Sequence, residues 1–223
     1  MYSLFFIISS GAALAFARIF YFEALVNGGA GKVSAVNKLS AAFAIVISAI
    51  FLGEGLTYAT VLSALLIMIG AMLMVHGDEK NRKKWFTFAL ISAIFGAAYS
   101  VLGKPGSESV DPFLATGLRA IVFFSITLMV VYFSGLKINF RSIADSDKGF
   151  IILSGVFFGL SWLTLYYAIT IGPAGAVSVL DQLSLPIIVV FSYLLLNESM
   201  DRRSWLGILI MTIGILAPLL NCM

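Results

Sequence analysis

The sequence predicts an all-α integral membrane protein with eight transmembrane helices, built from an inverted five-helix repeat whose first copy is incomplete. Three observations lead to this prediction. Hydrophobic residues make up 61% of the 223 residues and charged residues only 11%, which is more apolar surface than a soluble domain of this size can bury. The apolar residues fall into eight segments of membrane-spanning length. A stretch near the amino end also recurs 144 residues later without a gap.

Eight segments are apolar and long enough, at about 20 residues, to cross about 30 Å of hydrocarbon. They are approximately residues 2–25, 32–52, 57–76, 85–102, 113–134, 150–171, 175–197 and 203–220. We expect each segment to be helical, because lipid offers no hydrogen-bonding partner to backbone amides. Short connections rich in glycine and proline favour antiparallel neighbours in one bundle.

The repeated stretch runs from Gly28 to Glu54 in its first copy and from Gly172 to Glu198 in its second. Apolar identities arise easily in a hydrophobic sequence, but an ungapped series of glycine, serine and glutamate matches does not, so we interpret it as an internal repeat. The matches extend outwards at the same offset, pairing Phe6-Ile7-Ile8 with Phe150-Ile151-Ile152, Gly11 with Gly155, and Gly70 with Gly214.

The repeat divides the chain into two units. The first, residues 1–76, holds only the last three helices of the unit, and the second, residues 85–220, holds all five. Each helix lies five crossings before its copy, and because five is odd the copies cross the membrane in opposite senses, a common plan of secondary transporters. The two counterparts that the first unit lacks would leave an apolar flank on it. We expect either a longer reading frame or a partner chain to cover that flank.

The positive charges predict the orientation. Ten lysines and arginines lie in connections on one side of the membrane, and Lys104 is alone on the other. Because cytoplasmic loops are enriched in Lys and Arg, this bias puts the first side in the cytoplasm and both chain ends outside the plasma (inner) membrane. The net charge of +3 therefore relates to membrane orientation rather than to nucleic-acid binding.

Ionisable residues inside the predicted spans are the strongest candidates for a site, since they are costly in hydrocarbon unless they face a cavity or a partner. Glu23 and Lys38 enter from one membrane side. Arg119 and Asp181 enter from the other, each about six residues, or roughly 9 Å, deep, and Arg18 accompanies Glu23. Each pair is either a fixed salt bridge between helices or part of a substrate-binding site.

Two polar dipeptides occupy equivalent positions of the repeat, Asn37-Lys38 in the first copy and Asp181-Gln182 in the second. Two consecutive polar residues cannot both face lipid, so at least one of each dipeptide faces the bundle axis. We therefore include all four in the predicted substrate-binding set.

Aromatic residues form a second candidate group. Trp162 and Tyr166 on the sixth span, with Tyr99 on the fourth, could line a pocket for an apolar or cationic substrate. The alternative is that they anchor the protein at the membrane interfaces, which is the role we also expect for Trp85.

Five further residues are predicted to be structural. Glu54 and Glu198 end equivalent spans and could accept hydrogen bonds from amides at the start of the next helix. Pro186 could kink the seventh span, and Gly70 and Gly214 lie in the middle of equivalent helices. A pair of glycines four apart, Gly155 and Gly159, predicts a close helix contact on the sixth span.

The chain offers little for enzyme chemistry. It contains a single cysteine, Cys222, and a single histidine, His76, which excludes a disulfide framework and argues against a metal site. We find no nucleophile with a base, no phosphate-binding loop and no carboxylate pair with metal-ligand spacing, and so expect neither an enzyme nor a cofactor.

The two repeat cores resemble those of the drug/metabolite transporter superfamily, in its EamA-type branch of ten helices. The residues that carry the resemblance are Asn37-Lys38-Leu39-Ser40 leading to Phe51-Leu52-Gly53-Glu54, and Asp181-Gln182-Leu183-Ser184 with Pro186 leading to Leu195-Leu196-Asn197-Glu198. The resemblance implies a secondary transporter, by our prediction an exporter, that moves a small metabolite, amino acid or drug by alternating access, with a proton or sodium ion as coupling ion. The alternative is a non-transporting remnant or accessory membrane subunit that needs a partner to supply the missing helices.

Overall fold

The computed structural model describes residues 2–51, 58–75, 82–107, 110–135, 144–171, 184–197 and 201–216. Every regular element in these ranges is a helix, so the all-helical prediction is confirmed for the described part of the chain. The helices are α1 Tyr2–Asn27, α2 Ala30–Asn37, α3 Leu39–Phe51, α4 Tyr58–Met74, α5 Arg82–Ser107, α6 Pro112–Phe133, α7 Asp145–Ile171, α8 Ser184–Leu195 and α9 Arg202–Leu216.

The helices agree with the predicted membrane segments. Each predicted segment contains a described helix, and α2 and α3 together occupy the second segment. Four stretches of the described chain are long and apolar enough to cross a membrane, namely Ser3–Asn27, Ala30–Phe51, Lys83–Gly103 and Phe113–Phe133. Apolar side chains also cover the outward faces of these helices, as a hydrocarbon surrounding requires.

The second membrane segment is interrupted at Lys38, between the end of α2 and the start of α3. The Lys38 amide donates to the Ser34 carbonyl at 3.1 Å, and the Ala41 amide donates to the Lys38 carbonyl at 3.1 Å. The second bond spans three residues instead of four, which is the tighter spacing of a 3₁₀ turn. Lys38 therefore lies at a backbone irregularity inside a helix of membrane length.

The packing of α1 against α5 and α6 organises the amino-terminal half. Gly11 allows the close approach of α6, because a Cβ atom there would lie 3.0 Å from Val122 Cβ and 3.1 Å from the Arg119 carbonyl oxygen. On the other side of the helix, the buried Ser92 hydroxyl of α5 donates to the Ala17 carbonyl at 2.8 Å.

The Trp85 side chain faces the protein interior and not the surrounding membrane, so the prediction that it anchors the protein at the interface was wrong. Its side chain is fully buried in an apolar cluster with Ala24, Val33 and Ala89. Gly28 makes room for the indole, since a Cβ atom at Gly28 would lie 2.8 Å from Trp85 Cγ. The start of α5 is thus fixed against the turn between α1 and α2.

The backbones of helices α4 and α9 lie in direct contact at Gly70, Gly207 and Gly214. A Cβ atom on Gly207 would lie 2.6 Å from the Gly70 carbonyl oxygen, and one on Gly214 would lie 3.2 Å from the Ser63 carbonyl oxygen. Because residue numbers rise along α4 while they fall along the facing α9, the two helices are antiparallel.

Two aspartates cap helices at the membrane edge. Asp111 Oδ1 accepts from the Phe113 and Leu114 amides at the start of α6, at 2.9 and 3.1 Å. Asp201 Oδ1 accepts from the Ser204 hydroxyl at 2.6 Å and from the Ser204 amide at 2.9 Å at the start of α9. These two bonds, the hydroxyl's first, hold the pKa of the Asp201 carboxyl below its ordinary value.

Within the part of the chain that the structure describes, helix α7 has no packed side along its amino-terminal half. The consecutive residues Phe150, Ile151, Ile152 and Leu153 point in four directions around the helix and are 72, 57, 68 and 50% exposed. No described atom lies within 4 Å of a Cβ atom built on Gly155 or Gly159, so the described chain holds no helix at the predicted contact.

Candidate functional site

A layer of polar groups crosses the bundle at the level of the break in the second segment. The Ser92 hydroxyl, which donates to the Ala17 carbonyl of α1, also lies 3.3 Å from Asn37 Oδ1 at the end of α2. The next residue, Lys38, donates from Nζ to Ser184 Oγ at 3.1 Å, at the start of α8. We call these five residues the polar layer, and they join α1, α2, α5 and α8.

Lys38 lies deep in its membrane segment. It comes eight residues after Ala30, the first residue of the Ala30–Phe51 segment, or about 12 Å along the helix axis at 1.5 Å per residue. A lysine at the centre of a span costs about 2.5–3.5 kcal/mol on insertion scales. It is partly buried beside Ser184 at a backbone irregularity, which membranes tolerate where the backbone is buried in protein or lines a water-filled cavity.

An aromatic cluster lies beside the polar layer, where α1, α5 and α7 approach each other. Tyr99 stacks on Trp162, with ring centroids 6.1 Å apart and planes 10° apart, and the Phe158 ring lies 5.1 Å from Trp162. The Arg18 guanidinium lies 4.9 Å from the centroid of the Phe158 ring, a cation–π contact. Arg18 follows Ala17 of the polar layer, whereas Tyr99 lies seven residues after Ser92 on α5, about 10 Å along the helix axis, so the cluster extends along the bundle away from the polar layer.

Arg119 is buried to 2% exposure on α6. Its Nη2 donates to the Gly103 carbonyl at 2.7 Å, and a Cβ atom on Gly103 would lie in ordinary van der Waals contact with Arg119 Cζ, at 3.5 Å. This bond joins α6 to the last turns of α5, where Pro105 lies inside the helix. The hydrogen bond from Arg119 to the Gly103 carbonyl therefore connects α6 to the carboxyl-terminal part of α5.

The lysine beside Glu23 is Lys84, and not Lys38, which the sequence suggested. Glu23 Oε1 lies 3.9 Å from Lys84 Nζ at the start of α5, and both side chains are about half exposed, at 45 and 58%. Exposed pairs of this kind contribute about 0–1 kcal/mol. The structure thus places Glu23 at the membrane edge, while Lys38 contacts α8.

Several predicted residues lie outside the described part of the chain or have only their helix position described. Tyr166 lies on α7, one turn after Trp162. Pro186 is the third described residue of α8, directly after residues outside the described part of the chain, so its kink stays a prediction. Outside the described residues lie Asp181, Gln182, Glu54 and Glu198.

Sequence reasoning missed two residues of this region. Ser92 is an isolated serine in an apolar helix, and nothing in its local pattern distinguishes it from a serine that packs between helices. Phe158 could have been found, because it lies four residues before Trp162 and therefore on the same face of α7.

A bundle with four stretches long and apolar enough to cross a membrane belongs to the class of integral membrane proteins. Comparison with known proteins identifies the family. The EamA-like transporter family matches residues 1–76 and 83–219, which is nearly the whole chain. The chain belongs to the EamA-like transporter family and is an integral membrane protein, as the resemblance of its repeat cores predicted.

Individual relatives are similar at low identity. The chain is 31% identical over 134 residues to an uncharacterized transporter in the cobO 3' region of Sinorhizobium sp, covering 60% of this chain and 95% of that protein. It is 24% identical over 177 residues to a riboflavin transporter of Brucella anthropi, covering 79% of this chain and 62% of the relative. It is 28% identical over 192 residues to an uncharacterized transporter of Archaeoglobus fulgidus, covering 83% of this chain and 66% of the relative. The matched part thus spans less than two thirds of the last two relatives.

Proposed function

We propose that the protein is a secondary transporter that carries a small molecule across the plasma membrane by alternating access, with the polar layer as part of its substrate-binding site. The observation that carries the proposal is the contact of Lys38 Nζ with Ser184 Oγ at a break in a membrane helix. Ionisable side chains inside membrane spans mark substrate and ion pathways, and transporters bind their substrates at interrupted helices near the midplane.

The contacts between α4 and α9 support an inverted arrangement of the two units at residues 1–76 and 85–220. The repeat offset of 144 relates Gly70 to Gly214 and Ser63 to Gly207. Replacing each residue by its repeat counterpart therefore converts the contact between Gly70 and Gly207 into the contact between Gly214 and Ser63. Such an exchange of equivalent residues is what a two-fold axis between two copies produces. Because the two helices are antiparallel, that axis runs perpendicular to them.

The second pair of equivalent segments supports the same arrangement. Going from Gly31 to Lys38 along α2, the partners on α8 run backwards, from Ser192 at 3.2 Å to Ser184 at 3.1 Å. The polar layer thus joins α1 and α2 of the first unit to α5 and α8 of the second. Movement of one unit against the other would open it to alternate sides of the membrane, which is the mechanism that inverted repeats provide.

The surroundings of the polar layer favour a substrate with a flat or apolar part and a polar group. Tyr99 and Trp162 offer a stacked aromatic face, and Asn37 and Lys38 offer an amide and an ammonium group. A riboflavin transporter is among the relatives, so riboflavin is a reasonable first test compound. We retain Asp181 and Gln182 as site residues because they are the repeat counterparts of Asn37 and Lys38, and we propose export coupled to a proton or sodium ion.

The test is flux into proteoliposomes, measured with labelled riboflavin and a panel of labelled amino acids. The Lys38→Met variant should transport at least about tenfold more slowly than the wild type while its thermal unfolding midpoint stays the same or rises, since the methionine removes a charge that is costly in the membrane. Lys84→Met is the matched control and should transport normally, because Lys84 belongs to an exposed pair.

Two outcomes would contradict the proposal. Normal flux in Lys38→Met would remove the polar layer from the substrate path and leave the aromatic cluster of Tyr99, Phe158 and Trp162 as the next candidate. A wild-type protein that is folded but moves no solute of a broad panel would favour the alternative, an accessory membrane subunit without transport activity of its own.

A further inference from the structure

Basic side chains from two helices lie at one edge of the bundle, where α2 and α9 begin. Lys32 is the third residue of α2, and Arg202 and Arg203 are the first two residues of α9. Helix α8 ends at the same edge, because its Ser192 hydroxyl accepts from the Gly31 amide of α2 at 3.2 Å. We call the three basic residues the basic edge, and it belongs to the membrane side on which lysines and arginines are concentrated.

The cations of the two helices act on a common point, the carboxyl group of Asp201. The Ser204 hydroxyl and amide are the first causes that lower its pKa, and the positive charges of Arg203 and Lys32 lower it further. Lys32 of α2 is therefore within electrostatic reach of the start of α9. Among the described residues at these two helix starts, Asp201 is the acid that opposes the basic edge, and its Oδ1 already accepts two bonds. A net positive charge remains.

An exposed apolar stripe runs along α9 into the membrane from the basic edge. Trp205, Leu209 and Ile213 share one face of the helix, because each lies four residues after the one before, and all three side chains are exposed. Arg202 lies one turn before Trp205 on the same face. Tyr193 of α8 lies beside the start of this stripe, with its ring edge-on to the Trp205 indole and the centroids 5.8 Å apart. Tyrosine and tryptophan are typical of the level where lipid headgroups meet acyl chains.

We propose that the basic edge and the α9 stripe together bind an anionic phospholipid, with the headgroup against the basic edge and an acyl chain along the stripe. Charge complementarity selects the headgroup, since guanidinium and ammonium groups pair with phosphate. The stripe selects a lipid over a soluble anion, because a free phosphate gains nothing from exposed apolar side chains. A second copy of the chain fits poorly, since two basic edges repel each other.

This lipid site is separate from the polar layer. Lys38 lies six residues after Lys32, or about 9 Å deeper along the helix axis. The bound lipid contacts both repeat units, because Lys32 belongs to residues 1–76 and Arg202 and Arg203 belong to residues 85–220. Its binding can be measured without any transport substrate.

The test is quenching of tryptophan fluorescence by brominated lipid in the purified, reconstituted protein. Bilayers of phosphatidylcholine contain equal mole fractions of either brominated phosphatidylglycerol or brominated phosphatidylcholine, and the Trp205 signal is obtained by difference from Trp205→Phe. We expect the wild type to prefer phosphatidylglycerol by about tenfold or more, since each basic residue near a membrane surface contributes about fivefold to the binding of anionic lipid. Combining Arg202→Gln with Arg203→Gln should reduce this preference to about twofold or less.

Two control variants separate the site from general effects. Lys83→Gln removes an exposed lysine at the start of α5, on the same membrane side, and should leave the preference unchanged. Combining Arg202→Lys with Arg203→Lys keeps the charge and should retain most of the preference. A loss in the glutamine variant together with retention in the lysine variant therefore reports charge rather than damage to the helix start.

Four outcomes would overturn the proposal. They are equal quenching of wild-type Trp205 by both lipids, an unchanged preference in the double glutamine variant, an equal loss in Lys83→Gln, and a loss of preference in the double lysine variant as large as that in the glutamine variant. Inorganic phosphate distinguishes the two sources of the anion. It should relieve the quenching no more than sodium chloride of equal ionic strength does, and a stronger effect of phosphate would identify a site for a soluble anion instead of a lipid.

Discussion

Gly207 of α9 lies so close to Gly70 of α4 that a Cβ atom on Gly207 would be 2.6 Å from the Gly70 carbonyl oxygen. A side chain built on Gly70 would in turn overlap Met211. The bodies of these two helices are thus in contact along their backbones, as small residues permit in membrane proteins, and Gly214 of α9 makes the equivalent contact with Ser63 of α4, about two turns further along the same pair.

The first prediction concerns this glycine contact. Gly70→Ala and Gly214→Ala should each destabilise the protein by about 1–3 kcal/mol, because the new methyl group forces two backbones apart. Gly117→Ala is the control and should be neutral or stabilising by up to about 1 kcal/mol, since alanine favours a helix over glycine. Thermal unfolding in detergent measures the difference, and equal midpoints for all three variants would exclude a tight contact between α4 and α9.

The second prediction concerns Asp181, the repeat counterpart of Asn37. It lies three residues before Ser184, which accepts a hydrogen bond from Lys38. Asp181→Asn should abolish flux and leave the thermal midpoint within about 3 °C, because the amide keeps the shape of the side chain and removes only its charge. Glu23→Gln, which alters an exposed acid at the membrane edge, should transport normally. Full activity in Asp181→Asn would remove this residue from the site.

The third prediction concerns orientation. With Cys222 replaced, a cysteine at position 82 should resist an impermeant maleimide in intact cells, because Arg82 belongs to the side that carries ten lysines and arginines. A cysteine at position 104 should react readily. The opposite pattern of labelling would reverse the topology.

The fourth prediction concerns the cap of α9. The Ser204 hydroxyl and amide lower the pKa of Asp201, so the folded state binds this proton less tightly than the unfolded state does. The stabilisation is therefore present at neutral pH and is lost as the pH falls through the lowered pKa. Asp201→Ala should unfold at a lower temperature than the wild type at pH 7, and the gap should close on acidification below about pH 4. A gap that is independent of pH would show that the charge of Asp201 makes no contribution.

The helical segments could be predicted from the sequence because hydropathy and span length follow directly from the thickness of the membrane. The same signal does not show which face of a helix packs against its neighbours. Glu23 has lysines on the same membrane side in two helices, Lys38 and Lys84, and the packing of α1 against α5 selects Lys84. Trp85 illustrates the same difficulty, since its position near a span end is typical of an interfacial anchor. Its burial depends on a gap at Gly28, which belongs to a different helix connection.

The candidate site was partly predictable. Lys38 and Asn37 stood out because polar residues are rare inside membrane segments, and the structure brings both to the polar layer. Ser92 could not be assigned from the sequence, since its role depends on a contact with Asn37 from a distant part of the chain, whereas the spacing of Phe158 from Trp162 could have indicated its place in the aromatic cluster. The bond between Arg119 and the Gly103 carbonyl was equally inaccessible, because a backbone acceptor leaves no mark on the sequence.

The placement of the three tryptophans provides the protein with three optical reporters in different surroundings. Trp85 is fully buried, Trp205 is 42% exposed on the outer surface of α9, and Trp162 stacks on Tyr99 beside the polar layer. A quencher dissolved in the lipid should reach Trp205 and spare Trp85. The emission of Trp162 should change when a solute enters between α5 and α7. Intrinsic tryptophan fluorescence of the wild-type protein would then report binding at the proposed site.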